Sequence, residues 1–513
     1  MGAQQDIDAA VDIGPFRVVI ELLGLQRDLG HEREGLLEIG EHELADDGFA
    51  LGSAAPVRML AQPLVDLMGI EFLAHVLLPR GDGAILRPAP GPRRVGEGRV
   101  RWRRSRQAGA GAGPDRFGAR PLAGPAAAPA AEGKLDLQWD IFCHVVDNYG
   151  DIGVCWRLAR GLAAAGQRVR LFVDDPSALA WMAPGGQAGV QVCPVRFASD
   201  ADTDASPAGG AAGLPGDAPY ELPDVLVAAF GCALPQVVVA ALQDVQHAAP
   251  ARRRVPWIHL EYLSAEPYAE HSHGLPSPIL GGAAAGVHRW FYFPGFTPGT
   301  GGLLRESGLL DRRRCFDRQA WLNQRGIAWQ GEPVIGLFCY EPAQLVEWLR
   351  RLAGTTALLL VAAGRGARAL RQALDAMAPP FLPGQAPRMA FLPPLAQDEF
   401  DHFLWAGDVN FVRGEDSLVR ALWAGAGLVW QAYPQADGAQ RAKIEAWLDW
   451  LQAPDSLREA TWSWNGLGAG ALPPAFDAAL LPAWTAAVRA ARARLLAQDD
   501  LVTRLLRFVA ENR

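Results

Sequence analysis

Residues 139–173 read WDIFCHVVDNYGDIGVCWRLARGLAAAGQRVRLFV. Trp139 to Val146 is a predominantly apolar run of the length of one buried strand. Asp147-Asn148-Tyr149-Gly150-Asp151-Ile152-Gly153 has the composition of a turn. Val154 to Ala165 carries helical periodicity and stops at Gly166, and Arg168 to Val173 is a second strand closed by Asp174-Asp175-Pro176. Strand, helix and strand within about 30 residues define a parallel sheet with helices on its faces.

Working outward, the alternation continues. Asp224 to Phe230 reads as a strand, Pro235 to Leu242 as a helix and Val255 to Leu263 as a strand, after a low-complexity loop at 200–219. A second series starts at Pro333. Strands are expected at Val334–Tyr340, Ala357–Ala362, Arg388–Leu392, Asp408–Val412 and Leu428–Trp430. Helices are expected at Pro342–Leu352, Ala367–Met377, Gln397–Ala406 and Ser417–Trp423, with a helical tail from Pro474 to Asn512. The pattern is two consecutive doubly wound α/β domains, whose ligands bind at the carboxyl ends of the strands.

The first 133 residues differ. They hold no lysine and little periodicity, and an arginine run (Arg93, Arg94, Arg99, Arg101, Arg103, Arg104, Arg106) leads into an Ala/Gly/Pro tract at 108–131. A nucleic-acid or membrane-binding arm is one reading; such composition does not offset the entropy of ordering, so 1–133 reads instead as a poorly ordered extension and linker, compatible with a start assigned too far upstream. The remaining divisions are 134–330, 331–475 and a helical tail at 476–513.

Length, composition and charge set outer limits. A chain of 513 residues, half of them apolar, can bury a large core, and a formal charge of -8 gives no global footprint for nucleic acid. Lys134 and Lys443 are the two lysines among 48 basic residues. That imbalance reads as a coding bias and discourages giving arginines a role. The six cysteines have no CxxC spacing, which fits a reducing compartment and argues against zinc ribbons. The longest apolar stretch, Val225 to Leu242, is broken by Gly231 and Pro235, so no membrane span is expected. A cytoplasmic chain follows.

Two loops at strand ends carry acids. In the first, Asp147 and Asp151 would repel a pyrophosphate but suit a cation, or a proton to be accepted. The alternative is an Asp151 helix cap worth about 1 kcal/mol, with Asp147 as a turn former. In the second, Arg413-Gly414-Glu415-Asp416-Ser417, Gly414 permits close approach of the backbone. The following helix start favours an anion, and Arg413 with the Ser417 hydroxyl would complete a diphosphate cradle. Capping by Asp416 or Ser417 is again the alternative. Histidines 259, 271, 273 and 288 are too irregularly spaced for a metal site. Gly274-Leu275-Pro276-Ser277-Pro278, beside His271 and His273, reads as a cleft-lining loop, and Trp405, Trp423, Trp430, Trp447 and Trp450 read as core. Glu261 and Tyr262 are candidates for the acceptor side.

Several motifs together carry a family resemblance: WDIFCHVVDNYGDIGVCWRLAR (139–160), WIHLEYLSAE (257–266), HGLPSP, FYFPGFTPGTGGLLRE (291–306), GLFCYE (336–341) and FVRGEDSLVRALWAGAGLVWQAYPQ (411–435). In that order they resemble the bacterial elongation factor P arginine rhamnosyltransferase family over roughly three-quarters of the chain. The resemblance implies a GT-B fold, with two Rossmann-like doubly wound domains facing across a cleft. It implies dTDP-β-L-rhamnose as donor, one arginine at the tip of elongation factor P's first domain as acceptor, inversion at the anomeric carbon, and neither metal nor cofactor. Asp147 and Asp151 match the family's loop acids, and Asn148, Tyr149 and Gly150 complete that acceptor loop. Phe338 and Tyr340 match aromatic positions beside the nucleotide, Gln397 and Phe400 match base-contacting positions, and Arg413, Gly414, Glu415, Asp416 and Ser417 match the loop at the diphosphate and ribose. Two other readings remain open: a GT-B transferase for another nucleotide sugar or acceptor, and a non-catalytic nucleotide-binding assembly module.

Overall fold

The computed structural model describes residues 7–13, 16–22, 37–42, 136–146, 149–197, 220–248, 255–279, 285–378, 380–434, 439–468 and 479–513. The chain divides into two units, Met1–Gly133 and Lys134–Arg513. In the first, strands Ile7–Ile13 (β1), Phe16–Leu22 (β2) and Leu37–His42 (β3) form an antiparallel sheet in that order. The expectation of a poorly ordered extension falls chiefly outside the described residues, as do the arginine run at 93–106, the tract at 108–131 and the loop at 200–219.

The second unit holds two sheets. The first comprises Gln138–Cys143 (β4), Arg168–Val173 (β5), Val190–Pro194 (β6), Val225–Ala229 (β7), Trp257–Leu260 (β8), Pro276–Pro278 (β9) and His288–Tyr292 (β10). Their order is β6-β5-β4-β7-β8-β10-β9, parallel except for β9. Of the segment read as a cleft-lining loop, Pro276–Pro278 pairs with β10 as an edge strand; its prolines are tolerated because an edge leaves ladder donors unneeded. β7 is apolar throughout and β4 is buried from Trp139 to Cys143 because helices cover both faces of a parallel sheet.

The second sheet comprises Val334–Leu337 (β11), Leu358–Val361 (β12), Arg388–Phe391 (β13), Val409–Arg413 (β14) and Gly427–Gln431 (β15). It is parallel throughout, in the order β13-β12-β11-β14-β15. In each sheet the strand order reverses beside the first strand, at β4/β7 and at β11/β14. Those crevices are where ligands of open α/β sheets bind.

The tail is two helices rather than one. Leu481–Leu496 buries Trp484, Val488, Ala491 and Leu495 in the core of the second sheet. Asp500 then caps a new start, accepting from the Val502 and Thr503 N–H groups at 3.1 and 3.2 Å. The helix Leu501–Asn512 returns to the first sheet, where Leu501, Val502, Leu505 and Val509 join its core. A Cβ at Gly161 would stand 2.7 Å from the Val502 side chain, so this close approach requires glycine. Trp405, Trp423, Trp430 and Trp447 are buried core, and Trp450 packs against it.

Candidate active site

At the end of β4 the helix Gly150–Ala164 begins with Tyr149 in the capping position and no side-chain cap. Asp151 is therefore not the cap. It lies in the first turn, 4 % exposed, and its Oδ2 accepts the Val146 N–H at 3.0 Å, closing the loop on itself. The helix start favours its negative charge. Tyr149 packs edge-on against Trp181, 5.1 Å between ring centres. Asp147 and Asn148 lie outside the described residues.

Across the cleft, Phe338 and Tyr340 follow β11 and Arg413 ends β14. The Arg413 guanidinium stands over both rings, 4.9 Å from Phe338 and 4.6 Å from Tyr340. Phe400, from the helix Gln397–Ala406, abuts Phe338 at 5.0 Å. Gly414 has φ +60°, a conformation that other side chains rarely adopt, and Trp430 Nε1 donates to its carbonyl at 2.7 Å. Glu415 occupies the capping position of the helix Asp416–Ala424, and no side chain caps it. Its first amides are thus left for an anion.

Ser417 departs from expectation. Its Oγ accepts the Arg413 N–H at 3.1 Å and its hydroxyl donates to the Arg413 carbonyl, so it stitches the loop rather than offering a donor to a diphosphate. Glu415 is engaged twice, accepting the Leu263 N–H and the Lys443 ammonium, each at 2.7 Å. Asp416 lies 3.0 Å from Arg157 Nε. Gln397 Nε2 donates to the Gly153 carbonyl at 2.9 Å, bridging to the first sheet's helix.

These residues enclose a cavity of about 170 Å³. Every residue expected to bind the donor lines it: Phe338, Tyr340, Gln397, Phe400, Arg413, Gly414, Glu415, Asp416 and Ser417. Tyr149 and Gly150 of the acceptor loop face them. Asp151, one residue on, is buried and not among the lining residues.

Sequence reasoning missed Arg157, which also lines the cavity. It is fully buried, 2.8 Å from Glu306 and 3.0 Å from Asp416. Arg420, equally buried, holds Asp401 with both arms at 2.8 and 2.6 Å and Glu306 at 2.6 Å. Burial pushes the Glu306 carboxyl up, but Arg420 and Arg157 outweigh it and hold it well below its ordinary value. Its signal, WRLAR at 156–160, is obscured by the chain's general preference for arginine over lysine.

His259 and His273 are packed against aromatic rings, whereas His271 and His288 are exposed. Burial, with Arg289 adding, lowers His259 to about 4, and burial with Arg504 does the same for His273. His273 Nδ1 accepts the Phe293 N–H. Among the described residues no group of three or more His, Cys, Asp or Glu is placed to hold a metal ion, and no helix is long and apolar enough to cross a membrane.

Two parallel Rossmann-like sheets facing across an anion-suited cleft, with the last helix returned to the first sheet, define a GT-B glycosyltransferase. Residues 139–510 match the family described as elongation factor P (EF-P) rhamnosyltransferase EarP. The protein-arginine rhamnosyltransferase of Pseudomonas aeruginosa is 40% identical over 394 residues, covering 73% of this chain and 99% of its own. That of Pseudomonas putida is 40% identical over 405 residues, with the same coverage. A solved structure described as the structural basis for EarP-mediated arginine glycosylation of EF-P is 31% identical, with a TM-score of 0.47, covering 74% of this chain and 100% of its own. The chain belongs to the EarP family of protein-arginine rhamnosyltransferases.

Proposed function

We propose that this protein moves L-rhamnose from dTDP-β-L-rhamnose to one arginine at the tip of EF-P's first domain, with inversion and without a metal, in the cytoplasm. EF-P so modified supports translation of polyproline stretches. The observation that carries the reading is the cavity in which the Arg413–Ser417 loop, the aromatic pair Phe338 and Tyr340, and the acceptor loop meet.

The chemistry is constrained by the acceptor. Deprotonating a guanidinium in advance at pH 7 costs about 8–9 kcal/mol, beyond what a carboxylate of pKa about 3.9 can supply. A carboxylate can instead orient the planar group and take its proton late, as the C–N bond forms and the bond from the anomeric carbon to the diphosphate oxygen breaks. Asp151 is the base and Asp147 the orienting clamp. The departing dTDP takes its charge stabilisation from Arg413 and the uncapped helix start, with Ser417 holding that loop in shape. Glu415 and Asp416 hold the donor loop against Leu263, Lys443 and Arg157.

The test is intact-mass measurement of EF-P incubated with enzyme and dTDP-β-L-rhamnose, with and without EDTA, followed by NMR of the linkage. A gain of one deoxyhexose in the α configuration, unchanged by EDTA, is expected. A retained β configuration, loss of activity with EDTA, or transfer from another nucleotide sugar in preference would overturn the corresponding part.

A further inference from the structure

Glu261 has no part in the reaction so far. It follows β8 directly, and the carboxyl end of β8 stands one strand beyond β7 from that of β4, about 10 Å away at ordinary strand spacing. The crevice between the β4 and β7 ends therefore lies between Glu261 and the acidic loop. Two residues further on, the Leu263 N–H is held by Glu415 of the donor loop. Glu261 thus belongs to the stretch where the acceptor crevice meets the donor loop, the place at which the accepting nitrogen must reach the sugar.

Two features mark this corner. At the end of β7, Phe230 adopts φ +57°, a strained conformation for a bulky residue that persists only where the surroundings impose it. Its ring stacks at 4.7 Å and 20° on Tyr262, which is left 42 % exposed. The second feature is the carboxyl itself. Its side chain keeps 22 % exposure, lies 3.2 Å from His259 Nε2 and accepts a hydrogen bond from the Tyr262 backbone N–H. A true ion pair would raise the imidazole and lower the acid. Here both move toward neutrality: His259 falls to about 4 and Glu261 rises to about 7, burial being the main cause for each. Arg289 pulls the acid down and Glu415 pushes it up, while Tyr268 faces it from the neighbouring helix Pro267–Ser272. An acid kept protonatable near neutral pH is one that an incoming cation would ionise.

We propose that Glu261 is an acceptor-binding residue whose carboxylate receives the guanidinium to be glycosylated, with the Phe230–Tyr262 pair as the wall beside it. A carboxylate with an aromatic face is the chemistry that distinguishes arginine from other side chains, since the planar fork both pairs and stacks. The inference rests on the reading of EF-P as acceptor. Because the carboxyl must be ionised to hold the cation, acceptor affinity falls as pH drops below about 7.

The test measures binding of EF-P, and of EF-P with its tip arginine replaced by alanine, to the dTDP-loaded enzyme by surface plasmon resonance. Wild-type enzyme should prefer the arginine form by roughly tenfold or more. Glu261→Gln should bring the two forms within about twofold, and Glu261→Asp should retain part of the preference, while the Kd for dTDP-rhamnose stays unchanged. The preference of the wild type, but not that of Glu261→Gln, should shrink between pH 8 and pH 6. A Glu261→Gln enzyme that keeps the full preference, or that loses donor affinity to the same degree, overturns the inference. If neither enzyme binds either form of EF-P, the acceptor reading itself fails and the inference falls with it.

Discussion

Asp151 reaches its place through the backbone rather than through a cap: the Val146 N–H holds its carboxylate at the helix start. Asp151→Asn keeps that acceptor atom and removes the base, so transfer should be lost while dTDP-rhamnose affinity, measured by calorimetry, stays within about twofold; near-normal turnover would remove Asp151 from the mechanism. Glu261 makes an opposite prediction for stability. Its folded value is raised above that of the unfolded chain, so its ionisation destabilises the fold progressively as pH rises from about 4.5 through 7. Glu261→Gln should therefore raise stability at pH 8 by about 1–3 kcal/mol, the lower part of that range reflecting its partial exposure, and have little effect at pH 4. Denaturant titrations at the two pH values check this.

Among elements, the helix Asp416–Ala424 shows what residue patterns could and could not reveal. Its start after a glycine-containing loop was legible because turn chemistry and helical period are local signals. Its far end was not. Arg313, Arg489 and Arg492 donate to the carbonyls of Trp423, Ala424 and Gly425, complementing the negative end of the helix. Those arginines come from 64 or more residues away, and only folding brings them together. The tail helix behaves likewise: its amphipathic pattern predicted a helix but not that Asp500 starts a second one returning to the first sheet. Leu505, fully buried there, should cost about 2–5 kcal/mol on replacement by alanine. Thermal unfolding measures that cost. Loosening this helix should also slow transfer, because the strap holds the two halves of the cleft together.

For the whole molecule, the central parallel strands were legible because both faces of each sheet are covered there and their sequences are largely apolar, whereas Val190–Pro194 (β6) and His288–Tyr292 (β10), part-exposed and interrupted by polar residues, gave no such signal. β9 was not legible either, since PSP carries no strand signal and depends on β10 for its pairing. The ties across the cleft were equally hidden: Arg157 to Asp416, Leu263 to Glu415 and Gly153 to Gln397 are encoded 150 or more residues apart. Glu306 sits at the centre of that polar seam between Arg157 and Arg420. Glu306→Gln leaves two buried guanidinium groups short of a carboxylate and should cost about 3–5 kcal/mol of stability, seen by denaturant unfolding. A loss below 1 kcal/mol would show the seam to be dispensable.

The account stands or falls on where the sugar goes. Tandem mass spectrometry of EF-P, treated with dTDP-β-L-rhamnose and either wild-type enzyme or Asp151→Asn, locates it to a residue. The account predicts one deoxyhexose on the tip arginine with wild type, none with Asp151→Asn, and none when that arginine is lysine. A sugar on another residue, or on no residue of EF-P while the donor is consumed, would contradict it.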